Sequence, residues 1–314
     1  EQGLAAVGDA KRAGRSLAGL PRGRSFEGPH EMVRQALEWR LRRPVLVDVS
    51  NDPGADASWL EAMRLGCDVV TANKEPLASD FARFAALRDA SREARVRLRP
   101  EATVGAGLPV VETIEMLLAT GDSIARADGC LSGTLGFLMT RLDEGDRLSE
   151  AVESAIDSGF TEPDAYEDLS GADVERKAVI LARLAGFDSG SLPVVRQGIV
   201  DESLRGLPRD QLLARLRAEY DDELSRRVAE ARERDEVLRF VASVEPTGIE
   251  VGLRAVPRNS ALGMLQGPDN MVVIRSDRYD ERPLVVSGPG AGVEVTAMGV
   301  LADILRIAAE RQQP

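Results

Sequence analysis

Apolar residues in the first third of the chain fall in short unbroken runs. Leu4-Ala5-Ala6-Val7 is one, closing on Gly8-Asp9, and Pro44-Val45-Leu46-Val47-Asp48-Val49 is another. The first predicts a short buried strand, and the β-branched second a parallel strand buried on both faces. Cys67-Asp68-Val69-Val70-Thr71 predicts a third strand and 96–99 a fourth, with helical patterns at 59–65 and 81–95 between them. Strands alternating with helices predict a doubly wound α/β sheet.

After Pro109 the rhythm changes. Positions 110–118 predict an amphipathic helix and 124–131 a strand. Helical patterns then dominate 133–186 and 210–236, and several strands parted by Pro/Gly turns follow over 237–286. This predicts an α+β second domain over 109–283. The segment from 284 onward reads as strand, glycine loop and long helix, so 284–314 is expected to rejoin the first domain, 1–108. No internal repeat or low-complexity tract interrupts the pattern.

Composition narrows the function. A length of 314 residues, 43% hydrophobic and 29% charged, suits two globular domains. No run approaches the roughly 20 apolar residues of a membrane helix, and no secretory layout opens the chain. A net charge of −12 disfavours nucleic acid and anionic membranes as partners. Cys67 and Cys130 have neither metal-ligand nor disulfide-framework spacing, so a reducing cytoplasm is expected. A single histidine, His30, leaves little room for a zinc site or Ser-His-Asp chemistry. Of 40 basic residues, only Lys11, Lys74 and Lys177 are lysine. Each is a candidate for work arginine cannot do, because lysine can be tuned to release its proton.

Two of these lysines lie in suggestive places. Asp173 and Lys177 are spaced i, i+4 on a predicted helix, and Ile180 and Leu184 continue the stripe. The pair could be a plain helix salt bridge or could face a cleft. Lys74 closes a predicted strand, where open α/β sheets bind ligands, although a solvated lysine after the turn-forming Asn73 fits the same pattern. Gly133 and Thr134 stand where a helix begins and free amides suit an anion. Gly288, Gly290 and Gly292 lie between a strand and the last helix.

Six segments, VVTANKEPLA (69–78), EATVGAGLPV (101–110), LSGTLGFL (131–138), GFTEPDAYEDLSGADVERK (159–177), LQGPDNMVVI (265–274) and GPGAGVEVTAMGVLADI (288–304), together resemble homoserine dehydrogenase. The resemblance runs nearly from end to end, and the 159–177 segment is its most specific part. It implies a Rossmann-type nucleotide-binding domain plus an α+β domain that binds substrate and forms a homodimer. It also implies an NAD(P)-dependent enzyme interconverting L-homoserine and L-aspartate 4-semialdehyde. One departure stands out: the family opens with a strand, a G-x-G-x-x-G-type loop and a helix. Leu4 resembles the second strand, so the chain is expected to begin near the end of the first helix. No regulatory domain is expected after 314, which implies a short, threonine-insensitive form.

The resemblance makes Lys177 the proton-transfer residue and Lys74 a second active-site cation near the reacting oxygen and the nicotinamide. It makes Glu162 and Asp173 ligands of homoserine, with Asp168 in support; helix N-capping is the alternative for Asp168. Gly159 and Gly292 are implied to lie against the cofactor, with Ser50 and Asn51 near its nicotinamide end. Glu101 and the carbonyls of Val104, Ala106 and Leu108 match a family loop holding a monovalent cation such as sodium. A glycine-rich hinge fits that stretch equally well.

Asp9 suits the ribose 2′-hydroxyl of NAD, while Lys11 and Arg12 suit the 2′-phosphate of NADP; the balance leans to NADP. Two rivals remain in view. A thioester-forming semialdehyde dehydrogenase would need an activated cysteine. A non-catalytic homologue without its phosphate loop would need no active site.

Overall fold

The computed structural model describes residues 29–38, 44–188 and 190–310. The chain divides into two compact units, Glu1–Pro44 and Val45–Pro314. In the first, the described part is the helix α1 (Pro29–Glu38), in which Val33 is buried. The strand expected at 4–7, together with Asp9, Lys11 and Arg12, lies outside the described residues.

The second unit opens with β1 (Val45–Asp48), α2 (Asp56–Arg64), β2 (Asp68–Thr71), α3 (Glu75–Ala78), α4 (Phe81–Ala94) and β3 (Leu98–Arg99). The three strands pair in parallel in the order β1-β2-β3, with Val45 opposite Asp68 and Val69 opposite Leu98. Every residue of β2 is buried, as a central parallel strand covered on both faces must be. Asp80 caps α4 by accepting the Arg83 amide, and Arg95 in the left-handed region ends it. Trp59 and Met63 from α2 and Leu87 from α4 are fully buried, which holds these helices to the rest of the unit. Burial of each large apolar side chain contributes about 1.5–3 kcal/mol.

A 3₁₀ turn (Glu101–Thr103) and α5 (Val110–Ala119) lead to β4 (Ile124–Cys130), α6 (Gly133–Glu144), α7 (Leu148–Asp157), α8 (Ala165–Leu169) and α9 (Ala172–Leu184). Then come β5 (Val194–Arg196), α10 (Arg209–Glu219), α11 (Asp221–Glu233), β6 (Glu236–Glu245), β7 (Gly248–Pro257), α12 (Ala261–Met264), β8 (Asp269–Ser276), β9 (Leu284–Pro289) and α13 (Val293–Glu310). The strands form a second sheet in the order β5-β7-β6-β4-β8-β9, antiparallel except for β5 beside β7.

Central β6 is buried from Val237 to Val244, because both faces are covered. Alternate residues face opposite sides. Helices α6, α9 and α11 pack against this strand. Gly171, at the start of α9, approaches Phe240 so closely that a Cβ there would lie 2.5 Å from the ring. Val237 and Val241 join Cys130, Val256, Leu262, Leu265 and Val273 in an apolar cluster. Arg239 is buried and donates to the carbonyls of Leu238, Leu262, Gly263 and Leu265, tying α12 to the sheet.

One expectation needs correcting. The strand Leu284–Pro289 does not rejoin the parallel sheet. It pairs antiparallel with β8 from Ile274–Leu284 to Asp269–Pro289 and forms an edge of the second sheet. The reason lies in its partner: β8 offers an unpaired edge antiparallel to it after a short loop. Only the helix α13 turns back, packing on β2 and on the 101–103 turn, where Asp303 accepts the Glu101 amide.

Candidate active site

The site begins at the C-terminal ends of β1 and β2, where ligands of open α/β sheets bind. Asn73 is wholly buried there. Its Nδ2 donates to Asp48 Oδ2 at 3.2 Å, Ser50 Oγ at 3.4 Å and the Asp52 carbonyl at 2.9 Å, and its Oδ1 accepts the Glu75 amide. Trp59 Nε1 donates to the same Asp48 oxygen at 3.0 Å. A single carboxamide thus ties together the loop carrying Ser50 and Asn51 and the turn carrying Lys74.

The second contribution comes from the end of β4. Ser132 caps α6 by accepting the Leu135 amide, so Gly133 and Thr134 open the helix. Thr134 donates to the Phe160 carbonyl at 2.6 Å, and Asp168 accepts the Glu162 amide at 2.8 Å. Asp168 therefore shapes the loop bearing Glu162. It does not cap the following helix, whose N-cap is Gly171 in the left-handed region. Burial, the largest influence on Asp168, raises its pKa.

The third contribution is α9, which presents Asp173 and Lys177 on one face. Lys177 Nζ lies 2.9 Å from Asp173 Oδ2 and donates to the Leu131 carbonyl at 2.6 Å. Lys74 Nζ reaches the other oxygen, Asp173 Oδ1, at 3.3 Å. Two lysines distant in sequence thus meet at one carboxylate. Burial pushes the Asp173 pKa up, but the ammonium groups of Lys177 and Lys74 outweigh it and hold the pKa at about 2.

Two adjoining cavities lie here, of which the first reaches the cluster at Asp173. The first, about 450 Å³, is lined by Asn51, Ser132, Glu162, Asp168 and Asp173 among others. Carboxylates dominate its wall, which suits an ammonium group. The second, about 410 Å³, is lined by Gly133, Thr134, Gly159, Phe160, Gly290 and Ala291, and it shares Glu162 and Asp168 with the first. A Cβ at Gly159 would meet no atom within 4 Å, so the glycine leaves space that a side chain would fill. Gly292 (φ +127°) follows this rim, and its carbonyl accepts the Thr296 amide in the first turn of α13. Small residues around a groove next to a polar cavity fit the flat nicotinamide end of a dinucleotide.

The remaining candidates lie elsewhere. Glu101 is buried, and its carboxylate accepts the Val111 and Glu112 amides at the start of α5, with Arg306 at 3.4 Å. Burial, the largest influence, raises its pKa. The loop after it turns through two left-handed residues, Gly105 and Ala106, and of the expected cation ligands Val104 and Ala106 are buried and Leu108 is half-buried. Among the described residues no group of three or more His, Cys, Asp or Glu side chains could hold a metal ion. Cys130 is buried, and desolvation pushes its thiol up to about 12, the opposite of the activated cysteine that the thioester rival needs. Among the described residues no helix is long and apolar enough to cross a membrane.

Sequence reasoning passed over Asn73, treated only as a turn former, and also missed the helix-to-turn contacts of Arg176 and Arg183. Nothing in a one-dimensional pattern marks such residues, since their distant partners lie 21 to 106 positions away.

Comparison with known proteins gives the family. Residues 109–305 match the family model for homoserine dehydrogenase, and residues 3–101 match its NAD-binding domain. A homoserine dehydrogenase of Emericella nidulans is 38% identical over 84% of this chain and 75% of its own length. A chloroplastic bifunctional aspartokinase/homoserine dehydrogenase of Arabidopsis thaliana is 39% identical over 84% of this chain; the match spans 29% of that longer protein. Among solved structures, a hyperthermophilic archaeal homoserine dehydrogenase in complex with NADPH superposes with a TM-score of 0.75 at 28% identity, covering 98% of this chain and 83% of the other. The chain belongs to the homoserine dehydrogenase family.

Proposed function

We propose that the protein interconverts L-homoserine and L-aspartate 4-semialdehyde with NADP or NAD. The observation that carries this reading is the meeting of Lys74 and Lys177 at Asp173, which lines a carboxylate-rich cavity that a glycine-lined one adjoins through Glu162 and Asp168. When bound, the nicotinamide supplies or accepts the hydride. The chain's own residues supply the rest.

Oxidation of a primary alcohol requires loss of the hydroxyl proton, and reduction of the aldehyde requires its return. An ammonium has three N–H bonds. Lys177 directs two of them to Leu131 and Asp173, which leaves the third for the substrate oxygen. Lys177 therefore moves the proton at Nζ, and the Leu131 carbonyl fixes its direction. Lys74 provides a second positive charge where negative charge develops on that oxygen. Glu162 and Asp173 receive the substrate ammonium, and Asp168 holds the Glu162 loop. Ser50 and Asn51 edge the nicotinamide end, and Gly133, Thr134, Gly159 and Gly292 line or border the groove for it.

NADP is favoured over NAD by Lys11 and Arg12, with Asp9 the counter-argument. A monovalent cation such as sodium would take the carbonyls of Val104, Ala106 and Leu108 with Glu101. The support is Ala106, whose φ of 55° is an uncommon conformation that a ligated carbonyl would repay. A homodimer through the second sheet is supported by exposed Val194 and Val195 on its edge strand β5.

The test is direct. Homoserine is oxidised with appearance of reduced nicotinamide, and the semialdehyde is reduced in the reverse assay. A protein that binds NADP yet turns over neither substrate overturns the reading.

A further inference from the structure

Arg183 lies six residues beyond Lys177 on α9 and outside both cavities, yet its side chain is only 5% exposed. Its guanidinium donates from Nη1 to the Leu77 carbonyl at 2.5 Å and from Nη2 to the Ser79 carbonyl at 2.7 Å. Its Nε pairs with Asp188 at 2.9 Å, and its central carbon lies 5.0 Å from the centre of the Phe84 ring. Leu77 and Ser79 end the four-residue helix α3 that Lys74 begins. Two turns earlier on the helix, at the first cavity, Arg176 pairs with Glu75 at 3.0 Å.

The same helix that carries Asp173 and Lys177 thus grips the Lys74 turn at successive points. A helix of one turn has little stability of its own, because nucleation alone is unfavourable. Its position must come from outside. Two carbonyls two residues apart match the planar fork of a guanidinium, and a lysine ammonium offers no such fork. Asp188 and Phe84 hold that fork in orientation.

We propose that Arg183 is a positioning residue for the reaction, fixing the Lys74 ammonium against Asp173 and Lys177 through the Leu77 and Ser79 carbonyls. The inference rests on the function proposed above. It explains why a buried arginine is spent on backbone carbonyls where an apolar residue would pack.

The experiment is a double-mutant cycle on homoserine oxidation with Arg183→Lys and Lys74→Met. Arg183→Lys keeps the charge for Asp188 but loses the fork. The expected result is a kcat lowered more than tenfold, with KM for homoserine and for cofactor changed less than about threefold. In the Lys74→Met background the same change lowers kcat less than threefold, because there is no ammonium left to position. A merely structural role would lower activity by the same factor in both backgrounds, and that result overturns the proposal. So does an Arg183→Lys enzyme with parental kcat. Asp188→Asn, which loosens the fork without removing it, repeats the cycle if Arg183→Lys does not fold: masking by Lys74→Met supports the proposal and equal losses overturn it. A parent without activity defeats the proposed function itself, an outcome distinct from an active parent indifferent to Arg183→Lys.

Discussion

The two ammonium groups that meet at Asp173 are held in different ways. Lys177 stands in the middle of a 13-residue helix packed on the large antiparallel sheet, and its side chain is 11% exposed. Lys74 follows a four-residue strand of the small parallel sheet and begins a four-residue helix, with its side chain 28% exposed. The first is placed by local periodicity: an i, i+4 carboxylate and a carbonyl one strand away. The second is placed by distant residues, Asn73 below it and α9 beside it. A site can therefore join one half placed mainly by its own helix to another placed by contacts from distant segments.

The sharpest way to break this comparison is Lys177→Arg. If Lys177 moves the proton, turnover falls by roughly 100-fold or more, the usual scale for a lost general acid, while homoserine binding changes little. Near-normal kcat would reduce Lys177 to a salt-bridge partner. Next comes Asn73→Ala, which strips four hydrogen bonds from the braced half. Buried partners left unsatisfied cost about 2 kcal/mol, so the denaturant midpoint should fall accordingly. A midpoint unchanged within error would mean that the parallel half does not depend on this carboxamide.

Lys74→Arg should be milder than Lys177→Arg, with turnover down by some tens of fold, because a positive charge survives the change although its position does not. A loss as deep as that of Lys177→Arg would erase the distinction between the two lysines. The smallest effect is on acid stability. The Asp173 pKa is depressed from 3.8 to about 2, so its contribution is present above about pH 4 and is lost as pH falls through about 2. The group is half-exposed and screened by solvent, so the loss should stay below about 1 kcal/mol. Acid unfolding of Asp173→Asn compared with the parent over that window measures it, and identical curves would refute it.

What could be read from the chain follows the same division. The Asp173–Lys177 stripe was legible because its spacing is itself the geometry. The strands at 45–48 and 68–71 were legible because β-branched runs have few other uses. Lys74 could be placed at a strand end but not beside Asp173, since nothing local links positions 74 and 173. The strand Leu284–Pro289 showed its conformation but not its partner, because a period of two says nothing about which sheet supplies the free edge. Arg183 resembled any other surface arginine in a chain with 40 basic residues.

That arginine-rich composition has a practical consequence. Reagents that acylate or reductively alkylate primary amines have only Lys11, Lys74, Lys177 and the α-amino group to attack. In most proteins such chemistry scatters over the surface, whereas here two of its four targets flank one carboxylate. Peptide mass mapping would then read the two lysines separately, with the more open Lys74 modified before Lys177.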